Sequence, residues 1–390
     1  MQRILQPFQS FFHSIPRACK NFLRTADILL LLLAAAASCC GLVLIYSATR
    51  SFGTNRYVLI QAASIALGVL GFIIASHIDL DRIGPLWRVV FVLNIGLQCL
   101  LFKFGVEGDT GNRSWIRFDD WGLPIGIQPA ELGKILFILT FSRHIYELRD
   151  RLNAPLTVLR LLAHAGITAG VVYVTSKDFG MVIVYLLIFY ILFFASGISL
   201  AWIGALTATG GAGLAILWPY LPDYQRLRIL VVFEPELSER YAYQGKQGMM
   251  AIGSGQLTGE GFLSGRMTQA ASGLPAKHTD FIFATAGEEW GFVGCVLIIV
   301  LLSAIVFRIF YDSTQTNDLF SRLMCIGIGG MLMVQILINI GMCAGIMPVI
   351  GLTLPFFSYG GTSCAVTLTC LGLVSGFIMR QKPRWLRDRL

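Results

Sequence analysis

The chain has 390 residues, 55% hydrophobic and 13% charged, with a mean hydropathy of +0.70. A soluble domain carries about 25% charged residues, so composition excludes a soluble protein and implies an all-α polytopic membrane protein. The formal net charge of +8 lies largely at the two chain ends, which argues against a nucleic-acid partner.

Those ends are basic: Arg3, Arg17, Lys20 and Arg24 precede the first apolar run, and Arg380, Lys382, Arg384, Arg387 and Arg389 follow the last. The positive-inside rule then predicts that both termini are cytoplasmic and that the number of spans is even. Residues 1–26 mix Phe8, Phe11, Phe12 and Ile15 with basic residues, which suits either a helix on the inner membrane surface or a disordered tail. Nine cysteines show no metal-ligand spacing and no disulfide framework.

Ten apolar runs of about the length needed to cross a bilayer are predicted at 28–47, 57–76, 86–104, 129–146, 157–175, 178–197, 199–218, 284–311, 322–344 and 359–380. They form one membrane domain over 27–380, between the N-terminal segment 1–26 and a basic cytoplasmic tail, 381–390. Threading from a cytoplasmic N-terminus places the large polar loop 219–283 outside. Arg113, Arg117, Arg226, Arg228, Arg240, Lys246, Arg266 and Lys277 fall outside too. Either they solvate long loops, which the charge rule constrains weakly, or they hold an anionic headgroup.

Five stretches carry candidate chemistry. Gly111-Asn112-Arg113-Ser114-Trp115-Ile116 precedes Gln128-Pro129-Ala130-Glu131-Leu132-Gly133-Lys134. Pro129 suits the first turn of a helix, and Glu131 and Lys134 then share a face. They form a local ion pair, or Glu131 orients Lys134 towards a phosphate. In Ser176-Lys177-Asp178-Phe179-Gly180, Asp178 caps the sixth span or lines the same cavity. In the large loop, Tyr243-Gln244-Gly245-Lys246-Gln247 leads to Ala251-Ile252-Gly253-Ser254-Gly255, then Gly259, Gly261 and Gly265. No P-loop or dinucleotide fingerprint is present. The glycines suit a flexible loop or an anion-binding nest.

The fourth stretch, Leu274-Pro275-Ala276-Lys277-His278-Thr279-Asp280-Phe281-Ile282-Phe283, closes the polar loop. Asp280 or Thr279 could cap the next helix, but no Glu or Gln follows three residues later, so a capping box is absent. Glu288 lies eight residues on, roughly 12 Å along a helix, too far to share a reaction centre with Asp280. Glu288 and Glu289 are expected to be packed structurally. The fifth stretch, Met347 to Ser363, interrupts an apolar region with prolines and glycines, as where irregular backbone walls a cavity.

Together these motifs resemble the SEDS family, the shape, elongation, division and sporulation proteins of bacteria. The resemblance covers nearly the whole chain after residue 25. It is carried most specifically by His278–Ala284 with Glu288–Gly294 and by Leu354–Gly361, with support from Gln128–Lys134 and Ala251–Gly255. Ser114 and Ser176-Lys177 depart from the family pattern, which places a basic residue before the Trp and Gln-Pro before the aspartate.

The resemblance implies ten spans and a peptidoglycan glycosyltransferase of the bacterial cytoplasmic membrane that polymerises lipid II at its outer face. It implies a class B penicillin-binding protein as transpeptidase partner, among other elongation or division proteins. The family's essential aspartate falls on Asp280, its Glu–Lys pair on Glu131 and Lys134, and its junction aspartate on Asp178. Arg113, Lys277, His278, Lys246, Gln247 and Ser254 are further substrate-binding candidates. A divalent cation, Mg or Mn, is an expected cofactor, with Asp280 as its ligand or as a base. No organic cofactor is expected. A lipid II flippase and a noncatalytic scaffold are the rival readings. A flippase should show a charged set at the inner span ends, and the sequence displays none. Asn339-Ile340-Gly341-Met342 with Met347-Pro348-Val349 leans to the elongation type, and Leu352–Pro355 to the division type.

Overall fold

The computed structural model describes residues 22, 24–107, 112–118, 126–270 and 273–381. The expected surface helix over 1–26 lies almost entirely outside them, as do Gly111 and the tail beyond 381.

Ten long helices stand where the ten spans are predicted. They are α1 (Ile28–Thr49), α2 (Arg56–His77), α3 (Trp87–Cys99), α4 (Pro129–Leu148), α5 (Pro155–Ser176), α6 (Phe179–Ala195) and α7 (Leu200–Leu217). After two shorter helices, α8 (Asp223–Leu230) and α9 (Glu239–Ser254), come α10 (Ile282–Gln315), α11 (Leu319–Cys343) and α12 (Gly361–Gln381). Among the described residues, eight helical stretches are long and apolar enough to cross a membrane, α3 counting as part of Leu80–Phe104. The other two are α6, apolar but only 17 residues, and α4, which carries Glu131, Lys134, Arg143 and Glu147.

Local chemistry starts these helices where they start. Asp27, Asp178 and Asp318 accept from the backbone N–H groups of Leu30, Met181 and Ser321 and so cap α1, α6 and α11. Pro129 and Pro155 occupy the first turns of α4 and α5, where a missing N–H is harmless. Small residues let α12 lie along α2: a Cβ at Gly376 would come within 2.6 Å of the Ser76 carbonyl. Without a hydrophobic drive between helices in lipid, such close backbone contact holds spans together.

The helices alternate in direction, and contacts between connections verify it. At one end, Arg113 N–H donates to Ser176 O, Thr362 Oγ1 to Gly126 O, and Lys277 Nζ to Ser51 Oγ. This is the loop end, where the long segment 218–281 lies. At the other, the tail end, Arg380 donates to Ile78 O and Asn153 Oδ1 accepts from Ser199 N–H. A three-stranded antiparallel sheet, β1 (Gly105–Val106), β2 (Trp115–Arg117) and β3 (Gly126–Ile127), covers part of the loop end.

One helix departs from expectation. α10 breaks at Gly291, whose φ of 66° and ψ of −161° no helix tolerates. The Gly-rich stretch stitches this break. Glu260 and Gly261 N–H groups donate to Glu288 O and Glu289 O, and Phe292 and Val293 N–H groups donate to Gln256 O and Leu257 O. A Cβ at Gly265 would meet the Glu288 carboxylate at 2.8 Å. These glycines therefore brace the kink, which corrects the reading of a flexible loop or anion nest. The eight described cysteines are free thiols.

Candidate active site

Asp280 ends the irregular segment between a one-turn helix, Arg266–Gln269, and α10. The N-cap position of α10 is Phe281, with no side-chain cap, so Asp280 does not have the bland capping role. Thr279 does not cap either; its Oγ1 donates to Ala276 O at 3.3 Å. Three successive carbonyls of this segment are held. His278 O accepts from Tyr359 N–H at 2.8 Å, Thr279 O from Ser358 Oγ at 2.5 Å, and Asp280 O from Asn339 Nδ2 at 2.9 Å. Asn339 also donates to Leu352 O at 2.6 Å. One buried amide thus fastens the Asp280 backbone to the segment that walls its other side.

The carboxylate itself is different. No hydrogen-bond donor or cation among the described residues reaches it. A Cβ at Gly351 would lie 3.6 Å from Oδ2, so that glycine leaves the acid room. Burial pushes the Asp280 pKa up to about 6, and the charge of nearby Asp178 adds to the shift.

Asp178 lies at the α5–α6 turn. Its Oδ1 accepts from Met181 N–H at 3.1 Å and its Oδ2 from Ser114 Oγ at 3.1 Å, so capping and site placement coincide. Burial raises its pKa, and Glu131 adds to the rise against its hydrogen bonds. Below it in α4, Lys134 and Glu131 form an ion pair at 2.9 Å, with side chains only 1% and 5% exposed. The two acids and the ion pair thus lie one beneath another at the loop end.

Beside them opens a cavity of about 550 Å³ between α8, α9, the α5–α6 turn and the 342–349 segment. Lys177, Arg228, Arg240 and Lys246 line it, with Glu107 as the one acid among the lining residues. Met342 and Val349 line it too, which brings its wall to the neighbours of Asp280. Lys246 was legible in the sequence as a candidate. Arg228 and Arg240 were visible only as loop charges, because nothing in the sequence brings α8 and α9 together.

Other candidates go elsewhere. Lys277 is 4% exposed and donates to Ser51 Oγ at 2.7 Å, to Thr268 O and to Ala270 O at 3.5 Å. It ties the Asp280 segment to the turn that follows α1 and is not among the lining residues of the cavity. His278 packs edge-on against Phe52 and Tyr57, and burial and Lys277 lower its pKa to about 4. It is neutral at pH 7 and cannot act there as a cation for phosphate. Ser254 is exposed and bonds its own helix at Ala251 O. Gln247 is half-buried on α9 and is not among the lining residues of the cavity. Arg113 pairs with Glu107 at 3.7 Å on the rim.

Glu288 is fully buried and accepts from Met267 N–H, Thr268 N–H and Thr268 Oγ1 at 2.6–2.8 Å. Glu289 accepts from Ser47 Oγ at 2.6 Å. Both are structural, as their spacing from Asp280 suggested.

The tail end corrects one expectation. A buried charged set does exist there: Arg308 reaches Asp27 at 2.8 Å and Asp312 at 3.3 Å, and Ser375 Oγ accepts from Asp27 N–H. It knits α1, α10 and α12 together, and neither of the cavities described here takes its lining from it.

Fold and site define an all-α, polytopic membrane protein with an acid that no described residue pairs, beside a basic cavity. The chain belongs to the FtsW/RodA/SpoVE family of cell cycle proteins, whose sequence pattern matches residues 27–382. It is 31% identical to the peptidoglycan glycosyltransferase MrdB of Escherichia coli, over 83% of this chain and 85% of that one. It is 31% identical to a probable peptidoglycan glycosyltransferase FtsW of Geobacter metallireducens, over 91% and 95%. Among solved structures it resembles a chain described under structural coordination of polymerization and crosslinking by a peptidoglycan synthase complex. There the TM-score is 0.77 and the identity 28%, over 91% of this chain and 98% of that one. It also resembles the rod shape determining protein RodA of Thermus thermophilus, with a TM-score of 0.67 and 26% identity, over 92% and 98%.

Proposed function

We propose that this protein is a peptidoglycan glycosyltransferase that polymerises lipid II, with Asp280 as general base. The observation that carries the reading is the Asp280 carboxylate: half-buried, without a hydrogen-bond or ion-pair partner among the described residues, and beside a basic cavity. Its acceptor is the sugar 4-hydroxyl of one lipid II. That oxygen loses its proton to Asp280 and attacks the anomeric carbon of a second lipid II. The bond to undecaprenyl pyrophosphate breaks with inversion, and the pyrophosphate carries away the electron pair. A pKa near 6 suits a base that must be ionised at neutral pH yet still accept a proton. Lys177, Arg228, Arg240 and Lys246 supply positive charge for the leaving group.

A divalent cation, Mg or Mn, is part of this proposal. Among the described residues no three His, Cys, Asp or Glu side chains gather into a metal site. Asp280 and Asp178 are neighbouring carboxylates, so protein would supply at most this pair and the pyrophosphate oxygens the rest. Mg²⁺ is commonly held that way, by one or two carboxylates plus substrate phosphates. Its chemistry would be to neutralise the departing phosphate.

The basic ends support cytoplasmic termini in the bacterial inner membrane, with the loop end outside. The similarity to a chain of a peptidoglycan synthase complex supports a class B penicillin-binding protein as crosslinking partner. Both elongation-type and division-type relatives resemble the chain, and we favour the elongation type. Depletion of the gene should give round cells; filaments would indicate division.

The test is glycan polymerisation by the purified protein with its transpeptidase partner. Asp280→Asn and Asp280→Ala should lower the rate by about 10²–10⁴-fold while both variants stay folded. Undiminished polymer in both would sink the assignment. Lipid II translocation in proteoliposomes without polymer would favour a flippase instead.

A further inference from the structure

A second cavity, of about 790 Å³, opens at the tail end between the last turns of α6 and α10 and the first half of α11. It is far from Asp280, at the opposite end of the bundle. Ile191, Phe194, Phe310, Ile326 and Met333 give it apolar walls. The hydroxyls among its lining residues have partners already: Ser196 Oγ donates to Phe193 O and Ser313 Oγ to Phe310 O, at 2.7 and 2.6 Å. Its walls therefore solicit an apolar occupant.

One charge marks its mouth. Arg322, in the first turn of α11, lines the groove and is exposed. No hydrogen bond or ion pair engages its guanidinium among the described residues; Asp318 four residues earlier caps α11 by accepting from Ser321 N–H. Arg308 and Arg380, by contrast, are held by Asp27 and by Ile78 O. Depth fits as well. Arg322 and Met333 are eleven residues apart on one helix, roughly 16 Å along its axis. That is about half of a hydrocarbon core of roughly 30 Å. The groove is thus one leaflet deep, with an uncompensated cation at headgroup level.

We propose that this groove is a binding site for an anionic phospholipid of the leaflet on the tail-end side, with its phosphate on Arg322 and an acyl chain between α6, α10 and α11. The lipid would fill a gap between helices that no side chain closes and would fix α6 against α10.

The experiment is native mass spectrometry of the delipidated full chain, titrated in detergent with phosphatidylglycerol or phosphatidylcholine. Wild type should retain phosphatidylglycerol about fivefold better, the effect of one basic residue at an anionic surface. Arg322→Gln should abolish that preference and Arg322→Lys should keep it. Met333→Trp, which fills the groove, should weaken retention of both lipids. Arg149→Gln, at the same end but off the groove, should change nothing. Equal retention of the two lipids by wild type would overturn the proposal. So would a preference that survives both Arg322→Gln and Met333→Trp, or a groove occupied by a second copy, seen as a dimer that excludes lipid.

Discussion

The loop end and the tail end both place acids within a membrane bundle, half-buried at the first and buried at the second, and they treat them in opposite ways. At the tail end Asp27 and Asp312 share one guanidinium, Arg308, and Asp27 also caps α1. At the loop end Asp178 is partly satisfied by Ser114 and by the α6 backbone, and among the described residues the Asp280 carboxylate has no hydrogen-bond or ion-pair partner. A buried charge is costly unless paired. Where a fold compensates its acids, the cost is answered within the structure. Where it leaves one uncompensated, yet anchors that residue's backbone through Asn339 and its neighbours' through Ser358 and Tyr359, the arrangement supports the role proposed for Asp280.

The sharpest way to break this comparison is to remove the compensation. Arg308→Ala leaves Asp27 and Asp312 facing each other without a cation. Arg308 is 26% exposed, so solvent answers part of the loss; removing this charged hydrogen-bond partner costs about 1–3 kcal/mol, and the thermal unfolding temperature in detergent should drop. Polymerisation per folded molecule should hold, since the cluster belongs to the opposite end. A variant that stays as stable as wild type would show that the tail-end set is no more compensated than the loop end.

The pH dependence comes next in size. Asp280 has a pKa raised to about 6 from an ordinary 3.8, so the folded state favours its protonated form. The stability linked to this group is present in full below the unfolded value, near 3.8, and is lost as pH rises through about 6. A base must be ionised, so activity runs the other way, falling about tenfold per pH unit below 6. Asp280→Asn should therefore melt higher than wild type at pH 8 and no higher at pH 4, with negligible activity at both. An Asn variant that melts lower at pH 8 would mean that the carboxylate has a stabilising partner after all.

How much of this was legible before the fold was known differs residue by residue. The spans were, because twenty apolar residues in a row have few other uses. Asp280 was legible as a candidate, because it stands where a polar loop meets a span without the capping box that would explain it. Asn339 carried only the weak signal of an amide in an apolar helix; that it holds two carbonyls of separate segments depends on packing between α11 and the loops. The glycines from 255 to 265 were visible as glycines, but their partner, the kinked backbone at Gly291, was not. The tail-end set was missed because Asp27 and Arg308 are 281 residues apart and each reads alone as an ordinary end of a span. Arg228 and Arg240 were readable as charges out of place, yet only the folding of α8 against α9 turns them into one wall.

That wall gives the smallest expected effect and refines the loop-end side of the comparison. Arg240 is exposed and Arg228 half-buried, so each is solvated and screened, and an exposed ionic contact is worth about 0.2–1 kcal/mol. Arg240→Gln or Lys246→Gln should raise KM for the proposed lipid II substrate by up to about fivefold, with kcat nearly unchanged and a weaker salt dependence. The double variant should approach the product of the two, because independent contacts add in free energy. Lys277→Gln is the contrast. Its ammonium holds backbone beside Asp280 instead of facing the cavity, so its loss should fall on kcat and on thermal stability and leave the salt dependence of KM intact. If Lys277→Gln instead behaved like Arg240→Gln, raising KM alone, the line drawn between cations that meet substrate and cations that hold the acid in place would be wrong.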